Sequence, residues 1–223
     1  MLVSDILKDI SSRLQDLGTV KRWKWDNTDP TSPSLLTFLN TALLEIVNQR
    51  PDATATTEKV TLVPGYRQTI PTTALSLIDI LFAYKADGSM GNPVTQSKRK
   101  ELQHIVNAVA PSVEIDNYAY DKMDNPFLYW VCPAVHVSGT GYVEMTYSAR
   151  PTAISAASQT FPISDQFAPA AIHWVLYEIY SGDNEDTDLA RAASHYSAFY
   201  QSLGIKITID KMFPMKPKAG EVQ

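Results

Sequence analysis

Cysteine is all but missing from this chain: Cys132 stands alone among 223 residues. An intrachain disulfide is therefore impossible, and folding in a reducing cytosol is expected. Charge is sparse as well. Asp, Glu, Lys and Arg make up 19% of the residues, low for a free monomer. The balance is −5, which argues against a protein that grips nucleic acid by neutralising phosphates. An acidic wall repels phosphate, so it suits a conduit for DNA better than a clamp. No run of about 20 apolar residues occurs, so no membrane span is expected. The opening residues show no basic-then-apolar leader pattern.

Signatures of catalysis are missing too. There is no Gly-rich phosphate loop and no Ser nucleophile elbow. His104, His136, His173 and His195 form no HExxH motif and no close His/carboxylate pair. His173 and His195 fall on two late helical stretches and are able to face each other; packing or a hydrogen bond is favoured over metal binding. Cys132 sits in "FLYWVCPA", where apolar neighbours favour packing over nucleophilic chemistry. The acidic "DNEDTD", 183–188, lacks the glycine and terminal glutamate of a calcium loop and reads as a turn leading into a helix. "KRK", 98–100, reads as a solvated helix start. No catalytic residue, cofactor or metal ligand is expected, and the chain does not read as an enzyme.

What is present is enough apolar residue to build a core, and abundant tyrosine. Hydrophobic residues make up 44% and tyrosines number 11, a residue favoured where surfaces meet partners. Helical spacing of Ile6, Leu7, Ile10, Leu14 and Leu17 predicts a helix over 4–17, capped by Ser4 and stopped by Gly18. A loop with two tryptophans follows. A second helix is predicted up to Pro51, with Ser32 as cap and Pro33 in its first turn. Its stripe is Leu35, Leu36, Leu39, Ala42, Leu43, Ile46 and Val47.

From about residue 54 to 158 the pattern changes to short strands, near 58–63, 67–70, 78–85, 127–132 and 141–148, with a short helix within 96–108. In "GYVEMTYSA" Val143, Met145 and Tyr147 share one face. Two helices return after 159, and Gly204 suits the end of the last. Residues 205–223 have too little apolar content to pack alone and are expected to be extended. The fold expected is α+β: a helical bundle of 1–53 and 159–204, an inserted antiparallel β segment over 54–158, and an extended tail.

Within "EKVTLVPGYRQTIP", 58–71, Pro64-Gly65 suits a two-residue corner and Pro71 a strand that stops, which predicts a hairpin. Tyr66, Tyr118, Tyr120, Tyr129, Trp130 and Tyr142 crowd the β segment. They read equally as a sheet core or as a contact surface, because a strand of alternating polarity buries one face only.

Taken in order, these segments resemble the head-to-tail adaptor (connector) proteins of tailed bacteriophages, particularly of short-tailed phages. "LLTFLNTALLEIVNQRP", "LVPGYRQTIP", "NPFLYWVCPA", "VEMTYSARP" and the closing helix pair "WVLYEIYSGDNEDTDLARAASHYSAFYQSLG" are similar to that family's elements. The chain departs at "VCPA", where a second proline is common, and at the acidic "GDNEDT", where a Lys-Asp turn is common.

The resemblance implies a virion protein at the head–tail junction, assembled in the host cytoplasm as a dodecameric ring. Its partners would be the portal protein, a tail nozzle or tail tube protein, and double-stranded DNA passing through without sequence-specific binding; no membrane is involved. It implies portal contacts from the tail, for which Lys211, Met212, Phe213, Met215, Lys216 and Lys218 are the candidates. Tyr66, Arg67, Gln68, Tyr129 and Trp130 become candidates for contact with a neighbouring subunit or tail protein. Six Asp and Glu stand against Arg191 in 159–204, which makes Asp183, Glu185, Asp186 and Asp188 candidates for lining the channel. Two other readings stay open: another tail or decoration subunit, separable by copy number, and a glycan- or protein-binding module using the aromatic β face, separable by a glycan screen.

Overall fold

A computed structural model describes residues 1–19, 22–26, 34–105, 109–182 and 188–205. These residues form an α+β protein with five α-helices and two four-stranded sheets. The chain divides into two compact units, Met1–Arg50 with the residues from Thr152 on, and Pro51–Pro151.

The first unit is helical. It holds α1 (Val3–Arg13), α2 (Leu35–Gln49), α4 (Ala168–Ser181) and α5 (Leu189–Ser202). Helix α4 is the axle, because α1, α2 and α5 all pack on it. Its Ala170, Ala171, Val175, Leu176 and Ile179 are each fully or almost fully buried, as are Ile6, Leu39, Ile46 and Phe199 on the surrounding helices. Each buried Leu, Ile or Phe contributes roughly 1.5–3 kcal/mol.

The helix ends differ from the sequence expectation. Helix α1 begins at Val3 after Leu2, and Ser4 instead donates its backbone N–H to the Ala157 carbonyl. It stops at Arg13 because Gln15 turns to φ 60°, before Gly18 is reached. The cap of α2 is Ser34, whose hydroxyl accepts from the Thr37 N–H at 3.3 Å; the expected cap, Ser32, lies outside the described residues. Gly204, at φ 74°, does follow the end of α5.

Long-range polar pins then close the unit. The Asn40 amide holds both the N–H (2.8 Å) and the carbonyl (2.9 Å) of Ile154. The Arg50 guanidinium donates to the Leu203 carbonyl at 2.9 Å. Trp25 donates to the Ser11 hydroxyl at 3.1 Å, and Trp23 meets Phe38 edge-on at 6.3 Å, so both tryptophans serve packing.

The second unit is built on strands β1 (Ala55–Leu62), β2 (Gly65–Thr69), β3 (Ala74–Tyr84), β4 (Met90–Pro93), β5 (Thr95–Gln96), β6 (Asn117–Tyr120), β7 (Leu128–Val135) and β8 (Gly141–Ala149), with helix α3 (Arg99–Ile105). One sheet has the order β1-β8-β3-β4 and the other β2-β7-β6-β5. They share a core: Leu77, Ile80, Val143 and Met145 from the first meet Tyr118, Tyr129, Val131 and Val135 from the second. The far face of the second sheet is covered by Leu102 of α3, which packs with Ala119, Trp130 and Cys132.

Two expectations are corrected here. The β segment is not wholly antiparallel, since β5 pairs parallel with β6. Nor do the runs flanking Pro64-Gly65 form a hairpin. Strand β1 pairs with β8 and β2 with β7, so the corner carries the chain from one sheet to the other. Gly65 takes φ 106°, a conformation that favours glycine.

Gln68 makes this crossing possible. Its side chain is 2% exposed, and its carbonyl accepts from the Val63 N–H at 2.8 Å. Its amide donates to the carbonyls of Val63 (2.7 Å) and Gly65 (3.2 Å). One side chain thus satisfies backbone groups that have left the first ladder and not yet joined the second. Gln68→Ala removes these bonds from part-buried backbone groups, a cost of about 0.5–1.5 kcal/mol for each. The expected outcome is a lower urea midpoint with an unchanged denaturant slope; an unchanged midpoint would show that the clamp contributes nothing.

Candidate interaction surfaces

The β unit exposes two aromatic regions. Around the sheet-to-sheet corner, Val63 and Tyr66 are each about half exposed, and Val137, two residues beyond the end of β7, is 85% exposed. The pairing of Gly65 with Val135 brings these residues to the same end of the second sheet. Arg67 is exposed on β2 beside them.

The second region lies on the outer face of the first sheet. Antiparallel register places Lys59 opposite Glu144, Thr61 opposite Tyr142 and Tyr84 opposite Tyr142. The Lys59 ammonium lies over the rings of Tyr84 (4.1 Å) and Tyr142 (4.5 Å), a cation–π contact. The Tyr84 hydroxyl donates to Glu144 at 2.6 Å, and this bond to a carboxylate raises its pKa. Phe82 packs beside Tyr84 at 5.3 Å. Lys59, Phe82 and Tyr84 were not among the residues singled out from the sequence. The alternation of Lys59 with Val60 and of Tyr142 with Val143 is the signal that points to this face.

The expected contact residues separate on the structure. Tyr66 and Arg67 are exposed. Gln68 is taken up by the clamp, and Tyr129 is fully buried between the sheets, where burial raises its hydroxyl pKa. Trp130 is 8% exposed, with the Arg99 guanidinium stacked 3.9 Å above its ring. None of these three offers a surface in the single chain. The crowd of aromatics therefore divides: Tyr118 and Tyr129 are core, and Tyr66 is surface.

Of the basic run 98–100, Arg99 is engaged within the unit. Arg99 pairs with Asp124 as well as stacking on Trp130, at the margin of an open pocket of about 410 Å³ lined by Gln96, Ser97, Lys98, Tyr120 and Asp121. Cys132 is buried, and burial with nearby Asp116 pushes its thiol pKa up, the reverse of an activated nucleophile.

Of the channel candidates, Asp188 caps α5: its carboxylate accepts from the N–H groups of Ala190 and Arg191, each at 3.1 Å, and pairs with the Arg191 side chain at 3.2 Å. Asp183, Glu185 and Asp186 lie outside the described residues, and so do Lys211, Met212, Phe213, Met215, Lys216 and Lys218.

His173 on α4 and His195 on α5 meet with their Nδ1 atoms 3.0 Å apart. Tyr180 stacks flat on His195 at 5.6 Å. Among the described residues no group of three or more His, Cys, Asp or Glu is placed to hold a metal ion. The pair is a hydrogen bond: one Nδ1 donates and the other accepts, which requires at least one neutral ring.

The sequence model of the family described as SU10 adaptor protein matches residues 1–216. No curated protein matches the chain.

The histidine pair gives the helical unit a pH dependence whose sign follows from its surroundings. Burial lowers the pKa of both rings, His173 further through His195 and Arg13 against an opposing Asp9, and His195 further through Arg13 and Arg191. A base with a depressed pKa in the folded state contributes stability above its unfolded value, near 6.5, and loses it as pH falls. Urea midpoints are expected to fall between pH 8 and pH 5. In the double variant His173→Gln, His195→Gln that fall should be smaller; an identical fall would exclude the pair as its source.

Proposed function

The chain belongs to the SU10 adaptor protein family, a family of phage head-to-tail adaptors, and on that basis we propose that it forms a ring between the portal and the tail. The match over residues 1–216 carries the reading, because it covers both units and most of the tail. Phage adaptors are structural proteins of the virion, and the mechanism proposed is steric: a dodecameric ring prolongs the DNA channel, closes the filled head and offers the tail a platform.

In this reading the helices of 1–53 and 159–204 form one bundle that builds the ring wall, and the inserted β unit meets the next tail component. Its contact residues are Tyr66 and Arg67, with Val63 and Val137 beside them. The acidic excess of 159–204 faces the channel through Asp183, Glu185 and Asp186, where it keeps DNA from sticking. Asp188 belongs to this group by sequence, although its cap on α5 already occupies its carboxylate.

The tail reaches the portal. Lys211, Lys216 and Lys218 supply charge and Met212, Phe213 and Met215 supply apolar surface, a composition that gains order on binding.

Quantitative mass spectrometry of purified virions is expected to give one copy of this chain per portal subunit. Hundreds of copies would identify a decoration protein, and absence would remove the adaptor reading. Truncation after Asp210 should abolish capture by purified portal while leaving the circular dichroism spectrum unchanged; retained capture would overturn the assignment of residues 211–218.

A further inference from the structure

Four strands form the margins of the two sheets, β1 and β4 in one and β2 and β5 in the other. Open edges recruit further strands unless something blunts them. Three of the four are blunted. Strand β4 is four residues long and ends at Pro93. Strand β5 has two residues. Strand β2 carries a register shift between Gly65 and Arg67 and is flanked by Pro64 and Pro71.

Strand β1 has none of these features. It runs for eight residues without proline or bulge, in unbroken register with β8. Among the described residues no strand pairs with its outer side. Lysine often guards an edge, but Lys59 is drawn over the rings of Tyr84 and Tyr142 on the sheet face. The inner face is also incomplete at this margin. Val60 is only partly buried, although its partner Val143 is fully buried. A further strand with an apolar residue at every second position would cover Val60 and extend the inner row.

The chain contains such a sequence. Directly after Gly204 it reads "IKITID", 205–210, in which Ile205, Ile207 and Ile209 alternate with Lys206, Thr208 and Asp210. A period of two in β-branched residues is the pattern of a half-buried strand. Helix α5 has already ended at Ser202, so the helical period does not run into it. The polar side brings one charge of each sign, which adds no row of like charges beside Lys59.

We infer that residues 205–210 of one copy add as a strand to the open edge of β1 in a neighbouring copy. The inference rests on the ring reading, which supplies the neighbour. The isoleucines take the inner face beside Val60, and Lys206, Thr208 and Asp210 take the outer face beside Thr57, Lys59 and Thr61. Backbone hydrogen bonds provide the attachment, and the alternation fixes which face is which. Residues 211–218 are then left to reach the portal.

The test uses full-length protein assembled with portal into connector particles. Thr208→Cys is combined in turn with Thr57→Cys, Lys59→Cys and Thr61→Cys, and the particles are mildly oxidised. Residues opposite one another on adjacent strands have Cβ atoms about 4.5–5.5 Å apart, close enough for a disulfide after small adjustment. Native Cys132 is 3% exposed and does not compete. At least one pair is expected to give a reducible ladder of covalent oligomers. Ile207→Cys, facing the other way, should give several-fold less with the same partners. Intact rings without a ladder, cross-links confined within single chains, or equal yields from Ile207→Cys would overturn the inference and leave the ring reading standing. Failure of the unmodified protein to form rings would overturn both.

Discussion

The β unit depends on a buried amide. Two sheets that share one core must be joined by chain that leaves one ladder before it enters the other, and backbone in transit has no strand partner. Here the transit takes place between Leu62 and Gly65. The Gln68 side chain stands in for the missing ladder, accepting from Val63 and donating to Val63 and Gly65. Were the same residues a hairpin, β2 would lie against the outer side of β1 and β7 would keep only β6 as a partner. The second sheet would then lose the strand that covers the edge of β7, which carries Tyr129, Val131 and Val135. Gly65 supplies the backbone angle and Gln68 the hydrogen bonds.

This constraint also shows what was legible in the sequence. Pro64-Gly65 announces a corner, and a corner is present; no local signal says which strand lies beyond it. Helix periodicity identified Ile6, Leu7 and Ile10 of α1 and the stripe of α2, because packing against α4 selects residues at that spacing; Leu17 belongs to the same period but lies past the end of α1 and is exposed. Helix ends were less legible because they are settled by tertiary partners. Ser4 is a good cap by type, yet its N–H is taken by Ala157, a residue more than a hundred positions away. The aromatics of the β segment were read as a single group, but α3 covers the far side of the second sheet and draws Trp130 inward. The outer cluster of Lys59, Tyr84 and Tyr142 gathers residues from three strands, and only the register brings them together.

Among the described residues of the helical unit, half-buried polar side chains find partners on a facing element or a neighbouring turn. His173 meets His195, and Trp174 donates to Glu178 at 2.7 Å. Burial raises the Glu178 pKa while that hydrogen bond opposes the shift, so the carboxylate is held between two effects of opposite sign. Around it Trp174, Tyr177, Tyr196 and Phe199 pack ring against ring at 4.8–6.4 Å. Such a cluster ties α4 to α5 by rigid aromatic contacts and leaves few polar atoms to lose when solvent or salt changes.

The placement of charge argues in the same direction. Several basic residues are engaged within the protein: Arg99 with Asp124 and Trp130, Lys59 with two tyrosines, and Arg50 with Leu203 and the ring of Phe167, while Arg67 stays exposed. Arg191 is paired with Asp188. Cations held this way help fix local structure and are less available to neutralise a phosphate backbone. A protein that bound DNA tightly would need the opposite arrangement, with free cations on one face. Beside a moving duplex the advantage is reversed, since every exposed lysine or arginine on a channel wall would be a point of drag. The net charge of −5, with these cations engaged inside the protein, is the electrostatic argument for the channel role proposed above.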